Sequence, residues 1–250
     1  KPLFGAPASA LLSPAAAHGE TTAFVDAAYE HSQVQGGGAA ESPNFGAGVQ
    51  HDFDSGWGVQ ADGRSTHFDV SDFNAGYASI HLYSALTPNI DVGAFVGLTD
   101  FLLNNGPSVG AEARVHQGQW SLQGSVGYTH FDPISGTSEV WDARALGAWF
   151  LNQDTALTPS VSYTEWQDTA FLDKQVGVGI GVTHRFNNGL QWYASYIYSA
   201  NDSTVNGQYQ VDTVRIGLRF NFNAGDLQTI TNEGASWNGA AGMYEALARF

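Results

Sequence analysis

The sequence predicts an all-β protein, a transmembrane up-and-down antiparallel β-barrel of about twelve strands with non-barrel extensions at both ends. First, apolar and polar residues alternate in twelve runs between residues 21 and 222, and this period of two indicates strands. Second, most runs are close to the 9 to 11 tilted residues, roughly, that cross a bilayer. Third, short and longer connections alternate along the chain, as in barrels of outer membranes.

The twelve predicted strands follow one another with no amphipathic helix between them. They span residues 21–34, 44–53, 57–67, 73–85, 90–102, 109–117, 120–131, 139–151, 155–166, 175–186, 190–200 and 208–222. Connections after the even runs are short and turn-like, as in 54–56 and 118–119, whereas most after the odd runs are longer, as in 35–43 and 201–207. We therefore expect short turns on the periplasmic side and longer loops outside.

The composition excludes several other classes of protein. The 250 residues carry a formal net charge of −15 and only two lysines, Lys1 and Lys174, so a nucleic-acid partner is not expected. Cysteine is absent, which removes disulfide scaffolds and thiolate chemistry. No run reaches the roughly 18 apolar residues of a membrane-spanning helix. Charged residues make up only 13%, against about 25% in soluble domains.

The arginines indicate which face of each strand meets lipid. Six of them fall within the runs, each on the polar face, and arginine facing lipid at mid-depth costs about 2 to 4 kcal/mol. The apolar faces are therefore predicted to point outward and the charges into the lumen. The predicted lumen-lining charged residues are Asp26, Asp62, Arg64, Asp91, Glu112, Arg114, Asp142, Arg144, Arg185, Arg215 and Arg219.

Aromatic residues cluster near both ends of the apolar faces. Those near the short turns are Trp57, Trp120, Trp149, Phe186, Trp192, Phe220 and Phe222, and those toward the loops are Phe45, Tyr128, Trp141, Tyr163 and Tyr198. Two such girdles are typical of membrane barrels, because rings with a polar edge favour the headgroup zone. The alternative is an ordinary aromatic core in a soluble β-sandwich.

The last run carries a motif with a known counterpart. Residues 215–222 read Arg-Ile-Gly-Leu-Arg-Phe-Asn-Phe, and with Gly217, Phe220 and Phe222 this segment resembles the terminal-strand signal of Gram-negative outer-membrane, porin-like β-barrels. The resemblance implies an outer-membrane location and recognition by the barrel-assembly machinery. It departs from the family pattern in one respect, because residues 223–250 follow the signal, which normally ends the chain.

The chain divides into three predicted parts. Residues 21–222 are the transmembrane barrel, and residues 1–20 are interpreted as an N-terminal periplasmic extension. The small residues at 15–17 suit a signal segment, but Pro2, Pro7 and Pro14 make a poor hydrophobic helix. Residues 223–250 are predicted to be a C-terminal periplasmic extension or a plug, with two helical turns near its end.

Inward glycines leave two readings of the lumen open. They lie at Gly46, Gly48, Gly58, Gly93, Gly97, Gly127, Gly177, Gly179, Gly181 and Gly217. They make room for a solute or an inserted segment, or they relieve strain where a small barrel bends.

The leading functional hypothesis is a narrow porin-like channel for small hydrophilic solutes. The alternative is a structural or anchoring subunit of an envelope complex, with residues 1–20 and 223–250 binding a periplasmic or envelope protein. The expected surroundings are outer-membrane lipid and lipopolysaccharide. No cofactor or metal site is predicted.

A lipid-modifying enzyme is a third hypothesis. Ser65 and His67 share a strand face near Asp69, as a nucleophile and its base would. Neighbours two residues apart on a strand are roughly 7 Å apart, which is beyond direct hydrogen bonding unless their rotamers converge.

Overall fold

The strands form one closed antiparallel sheet in the computed structural model. It describes residues 20–69, 73–101, 104–131, 138–168, 171–186, 189–222 and 225–247. Each strand pairs with its neighbours in sequence, and β1 (Thr21–Val34) pairs with β13 (Gly207–Phe222) to close the barrel. The predicted fold class, a twelve-stranded up-and-down barrel, is confirmed, and so is a non-barrel segment after the last strand.

The strand bounds follow the predicted runs with one interruption. Between β1 and β13 lie β2 (Ala39–Asp52), β3 (Trp57–Phe68), β4 (Phe73–Thr87), β5 (Ile90–Phe101), β6 (Asn104–Gln117), β7 (Trp120–Phe131), β8 (Ser138–Asn152), β9 (Thr155–Leu157), β10 (Ser160–Asp168), β11 (Leu172–Arg185) and β12 (Leu190–Ser203). The predicted ninth strand appears as β9 and β10, which both pair with β8 and β11. Pro159 lies between β9 and β10 and has no N–H to donate to the strand ladder. Two short strands in succession therefore take the place of one strand in the barrel wall.

The expected long outer connections are shorter in the structure. The sequence pattern predicts connections at residues 39–43 and 104–108, yet these residues belong to β2 and β6. Their backbones continue the ladders, with Ser42 opposite Glu30 and Asn105 opposite Asp100. Because pairing satisfies backbone polar groups, these hairpins extend past the apolar band instead of ending in irregular loops.

The outer surface is an apolar belt. Side chains that alternate along the strands are about half exposed, among them Ile80, Val96, Val126, Ile180 and Ile216. Exposed tryptophans lie toward the short turns, where the rings of Trp120 and Trp149 stack with centroids 5.5 Å apart. Phe45 and Trp141 are exposed toward the other end. The soluble-sandwich alternative is therefore wrong, since its aromatic residues would be buried.

Several inward glycines lie beneath aromatic rings. A Cβ at Gly58 would lie 2.1 Å from Cζ of Tyr83, and one at Gly110 would lie 2.3 Å from Cζ of Phe95. The missing side chains let these rings lie flat on the inner wall. At these positions the aromatic rings therefore fill part of the lumen. The residues that follow β13 pack against them.

The chain enters the lumen after β13. Helices α1 (Leu227–Glu233) and α2 (Gly239–Leu247) lie inside the barrel, and Asp226 caps α1 by accepting a hydrogen bond from the N–H of Thr229. Among the described residues, neither helix is long or apolar enough to cross a membrane. We call residues 225–247 the lumen segment.

The apolar belt gives a direct stability prediction. Ile180→Arg would place a guanidinium on the lipid face of β11, where Ile180 is 55% exposed, and we expect a loss of about 2 to 4 kcal/mol. Urea unfolding of the barrel in lipid vesicles measures it. The matched control is Val205→Arg, because Val205 is 67% exposed in the turn after β12 and should tolerate the charge. Equal losses in the two variants would contradict the assignment of the lipid face.

Candidate functional site: the occupied lumen

The lumen segment starts at the short-turn end of the barrel. The N–H of Leu227 donates to the carbonyl of Gln153 at 2.9 Å, and the Gln228 amide donates to the carbonyl of Gly118. Leu227 packs with Ala148 and Phe150 on the inner wall. Helix α1 thus lies beside the short turns. The first strand begins, and the last strand ends, at this same end of the barrel.

Trp237 anchors the middle of the lumen segment. The Gln60 side-chain amide donates to the backbone carbonyl of Trp237 at 2.8 Å and accepts from the backbone N–H of Trp237 at 3.1 Å. The indole ring packs 5.2 Å from the Tyr83 ring, and the guanidinium of Arg114 lies 4.3 Å from the indole centroid. Trp237 is only 3% exposed. Residues from three strands therefore form one pocket for this indole.

A buried histidine lies next to the Trp237 pocket. The Nε2 atom of His81 is 3.0 Å from Asp62, and Nδ1 is 2.5 Å from Glu112. The second oxygen of Glu112 accepts from the N–H of Gly239 at the start of α2. We call Asp62, His81 and Glu112 the histidine triad. It joins the wall to the lumen segment through one carboxylate.

Three arginines meet one carboxylate of α2. Glu245 is 3.3 Å from Arg64 on β3 and 3.2 Å from Arg144 on β8, and it also bonds Arg215 on β13. Asp26 on β1 accepts from Arg64 at 2.9 Å. We call Arg64, Arg144 and Arg215 the arginine cluster. Its members come from strands that are distant in sequence, so only the closed barrel brings them together.

An apolar cluster surrounds the far end of the lumen segment. Tyr244 is 1% exposed and packs with Phe68, Phe95, Phe131 and Val140 on the inner wall. The lumen segment thus traverses the lumen from the short turns toward the outer loops.

Burial changes the pKa of two groups on the lumen segment. Burial of the Tyr244 phenol raises its pKa to about 12. Partial burial of the Glu233 carboxyl, nearer the other end of the segment, raises its pKa above the usual range.

The remaining predicted lumen residues lie apart from these groups. Asp91 is half-buried and lies opposite Arg114 in the β5–β6 ladder, and Asp142 accepts from Thr164 at 2.8 Å. Arg185 pairs with Asp154 at the short-turn end. Arg219 donates to the carbonyl of Ala235 at 2.6 Å and lies over the Phe24 ring. Arg64 is paired with Asp26, whereas Asp62 and Glu112 face His81.

The predicted assembly motif lies on the closing strand. Gly217 lies under the ring of Tyr193, and Phe220 and Phe222 form an edge-to-face pair with centroids 4.8 Å apart. Their recognition by assembly machinery stays a prediction. Residues 1–19 of the predicted N-terminal extension lie outside the described residues.

Several residues of the site were not found by sequence reasoning. Gln60 and Tyr83 contact Trp237, and Glu245 contacts the arginine cluster, only because the lumen segment folds back inside. His81 instead meets Asp62 and Glu112 within the wall. The inward parity of Gln60, His81 and Tyr83 was available from the strand pattern. No local motif marks Trp237 or Glu245.

The structure does not pair Ser65 with His67. His67 lies 3.1 Å from the Asn74 amide oxygen through Nδ1 and 3.4 Å from Asp69 through Nε2, so both ring nitrogens face partners other than Ser65. In the described part of the chain, no group of three or more His, Asp or Glu residues is arranged to hold a metal ion.

A cavity remains between the lumen segment and part of the wall. Its volume is about 320 Å³, and its wall side includes Ser160, Ser162, Gln191, Tyr193 and the arginine cluster. This is room for on the order of ten water molecules at about 30 Å³ each. Helix α2 contacts β4 through β8 and β10, so the free space lies mainly along β10 to β13.

Comparison with known proteins shows likeness in structure alone. No protein-family model and no curated protein sequence matches the chain. An outer membrane channel from Pseudomonas putida superposes with a TM-score of 0.60 at 13% identity, over 88% of this chain and 100% of that one. The NanC porin superposes with a TM-score of 0.57 at 11% identity, over 78% and 98%. Together with the apolar belt, this is the fold of a bacterial outer-membrane β-barrel of the porin type.

Proposed function

We propose that the protein is a narrow outer-membrane channel for small hydrophilic solutes, whose own C-terminal segment restricts the lumen. The observation that carries the proposal is the cavity of about 320 Å³ beside the lumen segment, whose lining includes hydroxyl, amide and guanidinium groups. A barrel that only anchored a partner would have no need of unfilled space along one side of its interior.

The chemistry of the gap supports hydrophilic solutes. Its wall presents hydroxyl, amide and guanidinium groups, as at Ser160, Ser162, Gln191 and Arg219. Inward glycines of β11 lie against hydroxyl side chains, since a Cβ at Gly177 would meet Oγ of Ser162, and one at Gly179 would meet Oγ of Ser160, each at 2.6 Å. A hydrophilic solute that loses water molecules on entering the gap forms replacement hydrogen bonds with these wall groups.

Single-channel conductance in a planar bilayer tests the proposal. We expect small steps from the full chain and clearly larger steps after residues 223–250 are deleted, because the lumen segment then no longer fills the barrel. A Val205→Leu variant, changed only in a turn, serves as a matched control and should conduct like the parent. Absence of steps from the folded full-length protein would rule the channel out, whether or not the deletion variant conducts.

One observation favours the anchoring alternative. The lumen segment reaches both ends of the barrel and is bonded to the wall at each level, from Leu227 near the turns to Tyr244 near the loops. A permanently filled barrel would serve as an anchor in lipid and lipopolysaccharide, with an envelope protein as its partner. The same conductance measurement separates the two functions, since an anchor gives no steps from the full chain.

A further inference from the structure

The arginine cluster is shaped around a carboxylate. Arg64 and Arg215 contact Oε1 of Glu245, whereas Arg144 contacts Oε2 at 3.2 Å. Guanidinium groups are the side chains that best match the two oxygens of a carboxylate. Since the three arginines come from β3, β8 and β13, the closed wall holds them in place and the lumen segment supplies only the anion.

The cluster has further hydrogen-bonding capacity. The Nε atoms of Arg64 and Arg215 are buried and have no hydrogen-bond partner in the described part of the chain. Asp26 accepts from Arg64, and Glu30 lies opposite Arg215 in the β1–β13 ladder, so wall carboxylates are close as well. The Glu245 carboxylate nevertheless occupies the point at which all three guanidinium groups meet.

A free solute can reach this point from the cavity. Arg64, Arg144, Arg215 and Glu245 all line the gap of about 320 Å³, together with the rings of Tyr77 and Tyr193. Glu245 belongs to a segment that is joined to the barrel only through β13 and is held otherwise by noncovalent contacts. Its departure would leave the cluster open to the gap.

We propose that the arginine cluster is a binding site for small organic carboxylates and that Glu245 occupies it as an internal competitor. This inference rests on the proposed channel and names its solute class. A carboxylate that enters the gap competes with Glu245 for the same guanidinium groups. Binding of the solute and docking of the lumen segment therefore oppose each other.

Equilibrium dialysis with radiolabelled propionate, which matches the Glu245 side chain in size, tests the site on folded full-length protein. The wild-type chain should bind weakly, because the competent state is a small fraction of the molecules. Glu245→Ala should bind about one equivalent, with a Kd lower by roughly tenfold or more. Glu245→Gln, which keeps the shape of the side chain, should also bind more tightly than wild type if Glu245→Ala folds poorly.

Four controls define the chemistry of the site. Glu233→Ala removes a carboxylate of the same segment that lies outside the cluster and should bind propionate as weakly as wild type. Adding Arg144→Gln to Glu245→Ala should abolish binding. Propionamide should not compete, and inorganic phosphate should compete only weakly. Equal affinities in wild type and both Glu245 variants, or phosphate binding as tight as propionate, would overturn the carboxylate site.

The dialysis result is independent of conduction. A barrel that binds propionate in the Glu245 variants but gives no conductance steps keeps the carboxylate site and loses the channel. A barrel that conducts but does not bind propionate in either Glu245 variant keeps the channel and loses the site.

Discussion

Trp237→Ala is expected to release the lumen segment from the barrel. Truncation of a buried tryptophan costs about 3 to 5 kcal/mol, and Trp237 is 3% exposed between Tyr83 and Arg114. If this loss of free energy destabilises the docked state of the lumen segment, the fraction of molecules with a released segment rises by roughly a hundredfold or more. Chymotrypsin should then cut the segment of the folded barrel, and conductance should approach that of the variant lacking residues 223–250.

The matched control is Gln228→Ala, which removes a single exposed hydrogen bond to Gly118. We expect its cleavage rate and conductance to stay close to those of wild type. Trp237→Ala that remained resistant to chymotrypsin and conducted like wild type would show that Trp237 does not hold the segment.

His81→Leu is expected to cause a large loss of barrel stability. His81 is 0% exposed and its two ring nitrogens face Asp62 and Glu112. An apolar replacement leaves two buried carboxylates without their shared partner, and breaking a buried pair in this way costs about 3 to 5 kcal/mol. The midpoint of urea unfolding in lipid vesicles should fall while the slope of the transition is unchanged.

His116→Leu provides the comparison on the neighbouring hairpin. His116 bonds the Pro88 carbonyl at the short-turn end at 3.0 Å, in an exposed position, so its loss should change stability by about 0.5 kcal/mol or less. Similar losses of unfolding free energy in the two variants would mean that the histidine triad stabilises the barrel no more than His116 does.

The barrel itself could be predicted because its solvent imposes a simple rule. Lipid outside and polar groups inside force an alternation with a period of two on every strand, and Arg64, Arg114 and Arg215 all have the inward parity. The split of the ninth strand was missed because Pro159, which has no N–H to donate, interrupts the ladder without interrupting the alternation. The extent of β2 and β6 was missed because pairing outside the membrane needs no apolar face.

The contents of the lumen could be predicted only in part. Alternation places Gln60, His81 and Glu112 on the inner wall, but it does not say which residues lie opposite them across the barrel. Trp237 bonds Gln60 and Glu245 bonds Arg64, pairs that are 177 and 181 positions apart in sequence. The residues around Trp237 and Glu245 show no periodic pattern. Such pairings depend on the path of the lumen segment through the closed barrel, and that path is a property of the tertiary structure.

The lumen segment contacts the closing seam of the barrel. The β1–β13 ladder is the one place where strands from the two ends of the barrel must find each other, with Asp26 opposite Arg219 and Glu30 opposite Arg215. The lumen segment bonds Arg219 through Ala235 and Arg215 through Glu245, while Glu245 also reaches Arg64 on β3. The segment therefore supplies hydrogen-bond acceptors to two arginines of the closing strand. Its removal would leave both guanidinium groups of that strand without these acceptors.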